Sequence, residues 1–323
     1  MSADRGYAGA GLQPRPSSGV IHDIGYRRYE GERLGRWQIV LALCWHSLRS
    51  AFGIGRGVKA KIVPVLTFAI MCLPAVVDAV IVARSPTHAR QVSYDTYVAS
   101  LRIIVMIVFL AAQAPELVSR DLRSHVLPLY FARPIGRLDY PLAKLAAFIL
   151  ACLVMLEIPL LILYLDTIAQ AHGGSAIWTE TRALIPGLLV GLMWSVLLAS
   201  IALAIASFTG RRAYATGGVA IFFLLTFTLA RILVRVAMQN AAQNGVLRLD
   251  QLPPAVHLYA LISPFTVLDG VRQWLGGTNP SGLAPGVIAS PGSYGPVFGL
   301  MLVVLLAASL GVLAARYRKV GIG

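Results

Sequence analysis

Gly53, Gly55 and Gly57 lead into Lys59, which brings glycines and a lysine together as a phosphate-binding loop does. The spacing is not G-x-x-x-x-G-K-[ST] and no strand precedes it, so this stretch reads as a flexible basic loop. The six histidines are scattered through loops and segment ends, and no His, Cys and carboxylate set has metal-ligand spacing. No Ser, His and Asp arrangement can be assembled for nucleophilic catalysis. Cys72 and Cys152 lie in apolar stretches and Cys44 in an amphipathic one; they read as small buried hydrophobes rather than a disulfide framework. No enzyme active site and no cofactor site is supported in this chain.

What remains is a set of charges inside long apolar stretches: Asp78, Arg102, Glu116, Glu157, Arg231 and Arg235. Each is costly in hydrocarbon unless paired or hydrated. Asp78 and Arg102 lie at similar depths in neighbouring stretches. Glu157 and Arg231 share another depth, and Arg235 follows one turn on. These depths predict two acid–base pairings, Asp78 with Arg102 and Glu157 with Arg231 or Arg235. Packing, lining of a substrate path and snorkelling to the interface are the three roles open to such charges.

The elements that must position them follow from composition. The 323 residues are 57% hydrophobic and only 13% charged, with a mean hydropathy of +0.72, too little charge for a soluble surface of this length. Six apolar runs are near the ~20 residues that cross a bilayer: Ile62–Ala83, Tyr97–Val118, Leu142–Leu165, Leu184–Phe208, Thr216–Met238 and Gly295–Ala315. Leu252–Leu275 is also apolar, but Pro253, Pro254, Pro264, Asp269 and Arg272 interrupt it, so a broken re-entrant or interfacial element is expected there. Gly187, Gly191, Ser195 and Ala199 line one face of the fourth run, and Gly295, Gly299, Ala307, Gly311 and Ala315 one face of the sixth. Small faces let helices approach closely, within a subunit or between two.

The N-terminal stretch is polar and does not read as a signal peptide. Residues 1–36 form a cytoplasmic tail and 37–58 an amphipathic helix with its linker. The stripe Trp37, Val40, Leu41, Cys44, Trp45, Leu48 and Phe52 suits a helix lying in the headgroup region. Residues 59–323 form the six-span domain. The net charge of +14 does not indicate a nucleic-acid partner, because the basic residues sit between apolar runs, where they set topology and attract anionic lipid. They gather on one side: in the N-terminal part through Lys61, from Arg120 to Lys144, at Arg211 and Arg212, and at Arg316, Arg318 and Lys319. The positive-inside rule therefore places both termini in the cytoplasm. Only Lys59, Lys61, Lys144 and Lys319 among the 28 basic residues are lysines, which, with abundant Ala and Gly, points to a GC-rich bacterial genome.

The connection after the second run spends some two dozen residues where a simple hairpin needs a few. It mixes charges with Leu122, Val126, Leu127, Leu129, Tyr130 and Phe131. Apolar residues amid charges suit a short helix docked on a cytoplasmic partner or lying on the membrane surface.

This stretch, Glu116 to Lys144, with its S-R-D-L-R-S core and its R-P-I-G-R-L-D-Y-P-L-A-K ending, resembles the permease subunits of bacterial type-2 ABC exporters. The helix from Trp37 is similar to that family's elbow helix. Ile262–Gly270 is similar to its broken extracellular segment before the last span, and Gly25–Gly35 to an N-terminal motif of some members. The resemblance implies an all-α membrane domain that forms a substrate path with a second permease copy. It implies two separate ATPase subunits, which would carry the ATP and Mg that this chain does not hold. It makes Asp121 to Tyr140 the coupling element: Leu122, Val126, Leu127 and Leu129 would supply contact area, Asp121, Arg123 and Arg133 would fix the register, and Arg137 and Tyr140 would belong to the same ATPase-coupling set. The alternative is a non-transporting membrane scaffold or sensor subunit.

Overall fold

The computed structural model describes residues 31, 35–84, 101–124, 126–132, 135–171, 173–243, 253–276 and 292–319. By its contacts the chain divides into Met1–Leu34 and Gly35–Gly323; the tail expected over residues 1–36 falls almost wholly outside the described residues. Among the described residues the second unit is entirely helical. Its α-helices are α1 (Arg36–Ala51), α2 (Val58–Arg84), α3 (Leu101–Arg123), α4 (Leu127–Phe131), α5 (Asp139–Gln170), α6 (Gly174–Ala206), α7 (Arg212–Gln243), α8 (Pro254–Ala260), α9 (Pro264–Gly276) and α10 (Gly295–Lys319).

Six of them, α2, α3, α5, α6, α7 and α10, are long and apolar enough to cross a membrane, and they coincide with the six apolar runs. Among the described residues the chain is all-α, with the helices of a multi-pass membrane protein. Helices suit this role because they satisfy their backbone N–H and C=O groups internally. At 32 and 33 residues, α5 and α6 would each reach about 48 Å at 1.5 Å per residue, well beyond the ~30 Å hydrocarbon. Their polar ends, including Asp139 and Lys144, can therefore stand outside it.

The second span, α3, is the most enclosed and the sixth, α10, the least, with 78% and 17% of their apolar windows buried. Packing accounts for this: α3 touches α2, α6 and α7, and α1 lies across α5 and α3. The partly buried half of the α1 stripe, Val40, Cys44, Leu48 and Phe52, packs on the core. Trp37, Leu41 and Trp45 stay exposed. Gly53 turns the chain from α1 into α2 at φ +69°, with a Cβ position only 2.7 Å from the Ala60 carbonyl oxygen, so both conformation and space demand glycine.

The small-residue face of α6 is used inside the chain. Gly187, Gly191, Ser195 and Ala199 are all buried, and α5 and α6 form the most extensive helix pair. Ser195 donates its hydroxyl to the Gly191 carbonyl at 2.8 Å, so the serine's own polar group is met within the helix. On α10, Gly295 and Gly299 lie against Trp274, whereas Ala307, Gly311 and Ala315 remain exposed.

The interrupted stretch before the sixth span is the short helices α8 and α9, broken at Leu261–Ser263. Thr266 closes the break by donating to the Ser263 carbonyl at 2.9 Å. Asp269 accepts from Arg272 Nε at 3.1 Å and Gln273 Nε2 at 2.9 Å, so the charges that interrupt the apolar pattern form a buried internal network. Gly270 faces the buried Phe298 ring, with its Cβ position 2.6 Å from Cδ1. Gly270→Val is expected to cost about 2–3 kcal/mol through overpacking, read as an earlier unfolding midpoint in detergent; an unchanged midpoint would disprove this close approach.

His257 of α8 is buried and stacks on Tyr294 with ring centroids 4.5 Å apart. Burial disfavours the imidazolium and pushes its pKa below the usual histidine range. Below about pH 6.5 the unfolded chain takes up a proton that the folded chain refuses. The stability held above that pH is therefore lost as pH falls toward the folded pKa. Thermal unfolding from pH 8 to 5 should show this loss in the parent and a flatter profile in His257→Phe; identical profiles would remove His257 as the cause.

Candidate functional site

The charged residues around the α3–α5 connection converge at one end of the helix bundle. Glu116 is at their centre, on the last two turns of α3, with its side chain 3% exposed. Its Oε1 accepts from Arg56 Nη2 at 2.7 Å and Arg120 Nη1 at 3.3 Å, and its Oε2 from Arg212 Nη1 at 3.2 Å. Three separate segments thus close on one carboxylate: the α1–α2 turn, the end of α3 and the start of α7. Arg120 arrives by helical periodicity, one turn beyond Glu116.

A second network lies beside it. Asp121 Oδ2 pairs with Lys144 Nζ at 2.9 Å and accepts from the Tyr140 hydroxyl at 2.7 Å. The lysine and aspartate side chains are only 6% and 16% exposed. Tyr140 is fully buried, with Tyr130 of α4 and Tyr317 of α10 against its ring at 5.3 and 5.4 Å. Further out, Arg36 grips Asp139 through two hydrogen bonds of 2.6 and 2.7 Å, which raises the arginine above its usual pKa. Ser119 donates to the Ala206 carbonyl at 3.0 Å and Arg316 Nε to the Ser207 carbonyl at 3.3 Å. These two bonds satisfy carbonyls where α6 ends.

The expected coupling residues divide between two surroundings. Asp121, Leu127 and Tyr140 are engaged inside the chain, and Leu122 and Val126 are half-buried. Leu129 is 70% exposed, and Arg123 and Arg137 are exposed. Arg133 lies outside the described residues. Leu127 turns inward because it shares a helix face with Tyr130 and Phe131, whose rings pack on Tyr140. A cleft of about 410 Å³ opens between α1, α3, α4 and α5, with His46, Glu116, Asp121 and Lys144 in its walls.

The expected pairing of Glu157 with Arg231 or Arg235 is not formed. Both Glu157 carboxyl oxygens are buried and without a hydrogen-bond partner, and the side chain lies over Gly191, whose Cβ position would be 2.0 Å from Oε1. The reason is the α6 glycine face, which draws α5 in and leaves room for the carboxyl there. Arg231 and Arg235 instead lie on the exposed side of α7, with Arg231 over the Phe227 ring at 5.5 Å. Asp78 is buried; the side chain of Arg102 lies outside the described residues.

Sequence reasoning named Glu116 and Asp121 but missed Arg36, Arg56, Arg120, Asp139, Lys144 and Arg212 as their network. The signal was available. Charge asymmetry places those basic residues on one side of the membrane, and few carboxylates are there to meet them. No family model matches the chain, and no curated protein matches it.

Proposed function

We propose that the chain is the membrane-spanning permease subunit of an ATP-driven type-2 ABC exporter in a bacterial plasma membrane. Both termini face the cytoplasm, a second permease copy completes the substrate path, and two separate ATPase subunits supply ATP hydrolysis. The observation that carries this reading is the α3–α5 connection. It is a short helix packed on the bundle by Tyr130 and Phe131 against Tyr140, which the Asp121–Lys144 pair holds in place, and its Leu129 is exposed. A coupling element needs that combination: a rigid root in the transmembrane helices and an apolar tip with charges at its rim.

Other features support it. The amphipathic α1, with Trp37, Leu41 and Trp45 exposed, suits an elbow helix in the headgroup layer. The broken pair α8 and α9 suits the extracellular segment before the last span. Mechanistically, ATP would bind one arrangement of the ATPase pair more tightly and so favour one orientation of the bundle, since a ligand shifts only states that it distinguishes. The test is reconstitution with a P-loop ATPase encoded beside this chain. Stable co-purification and ATP hydrolysis altered by this chain are expected; failure to associate would favour a non-transporting scaffold or sensor.

A further inference from the structure

The guanidinia around Glu116 outnumber the carboxylate they share. A cleft of about 220 Å³ has Arg56, Arg120, Arg123 and Arg212 in its wall and Glu116 as its only acid, a formal excess of three positive charges. Arg120 and Arg212 keep side-chain exposures of 60% each while paired, and a guanidinium has donors to spare after one contact with a carboxylate. Arg123 adds a fourth guanidinium and has no ion pair to Glu116. Such an excess, gathered at one place, attracts an anion with several acceptor oxygens.

The neighbouring surface narrows the class. Arg123, Gly210 and Arg212 also border a larger cleft of about 1360 Å³. Its wall includes Ala112, Leu122 and Phe208, and Phe208 is 63% exposed. Basic and apolar walls thus meet where the apolar part of α3 gives way to its charged end. A bilayer places phosphate above its acyl chains at such a boundary, and basic side chains there attract anionic headgroups.

We propose that Arg56, Arg120, Arg123 and Arg212 form a phosphate-binding cleft. Its ligand is the phosphodiester of an anionic phospholipid or, from solution, free phosphate. Bound phosphate would offset part of the excess charge and tie the α1–α2 turn to the end of α3 and the start of α7. The inference does not depend on the transport reading.

The test uses the purified full-length chain in detergent without an ATPase. Phosphatidylglycerol and phosphatidylcholine are compared as adducts by native mass spectrometry, and inorganic phosphate is titrated calorimetrically with phosphatidylcholine present. Arg123→Gln is the informative variant because it removes a guanidinium and keeps all three Glu116 ion pairs. Arg231→Gln, on α7 away from the cleft, is the control. Preferential phosphatidylglycerol binding that falls roughly tenfold in Arg123→Gln, as loss of a charged hydrogen bond would produce, supports the cleft with lipid as its source. Phosphate binding that falls similarly, with no preference between the lipids, supports it with a soluble source. No preference for either anion, or equal binding by Arg123→Gln and the parent, overturns it.

Discussion

Replacing Glu116 with alanine is expected to lower stability by about 2–3 kcal/mol and the midpoint of thermal unfolding by roughly 5–10 °C. The carboxylate is buried and collects guanidinia from three segments. Removing one member of a buried charge network costs about 3–5 kcal/mol when the survivors stay buried. Here Arg120 and Arg212 can turn to water, which reduces the penalty. Arg56, only 25% exposed, retains more of it. The asymmetry makes the experiment discriminating. Arg120→Ala should cost under about 1 kcal/mol, because Arg120 is 60% exposed, its i,i+4 contact is long at 3.3 Å and Glu116 keeps two other guanidinia, and Glu116→Gln should fall between. Equal effects from Glu116→Ala and Arg120→Ala would mean that the network does not hold these helix ends together.

The second large effect belongs to Lys144. Lys144→Met should cost about 3 kcal/mol, since it leaves the Asp121 carboxylate with the Tyr140 hydroxyl but without its cation in a site that is mostly closed to water. Adding Asp121→Asn should recover much of that loss, because a neutral amide needs no counter-ion and can still accept from Tyr140. A double-mutant cycle by denaturant or thermal unfolding in detergent separates this coupling from simple packing loss. If the two substitutions add, Lys144 acts through its stem and not through its charge.

The spans were legible because hydrocarbon imposes a strong constraint: each run such as Leu142–Leu165 had to be apolar and long. That Leu252–Leu275 would be interrupted was legible for the converse reason, as Asp269 and Arg272 are costly in a lipid-facing helix. The long connection after the second span drew attention to Glu116 through Lys144, where the two networks lie. What the sequence could not show was direction. Leu127 and Leu129 are two residues apart and chemically alike, yet one is buried and the other exposed, because only the packed position of Tyr140 decides which way α4 rolls. Depth matching failed at Glu157 for a related reason. Depth gives one coordinate of a charge in a bundle, and the azimuth came from the glycines of α6.

These placements narrow the coupling proposal. Tyr140 is the positioning residue that packs α4 against α5 and α10, and Asp121 holds it by tying α3 to α5. Leu129 and Arg123 are exposed and would be the side chains offered to the proposed partner. Displacement of α4 would therefore be passed through Tyr140 to Tyr317 and through Asp121 to Lys144, which join the second, third and sixth spans.

The central claim is that α4 meets an ATPase in the cytoplasm, and a single cysteine at its tip tests it most directly. In a chain whose Cys44, Cys72 and Cys152 are replaced by serine, Leu129→Cys is treated with a bifunctional maleimide in membranes that also contain the P-loop ATPase encoded beside it. A covalent adduct between the two chains is the expected result. It should be absent for a cysteine placed instead at Leu258 in the proposed extracellular segment. Labelling of Leu129→Cys by an impermeant maleimide from outside sealed cells, with no adduct to the ATPase, would contradict both the orientation and the coupling role.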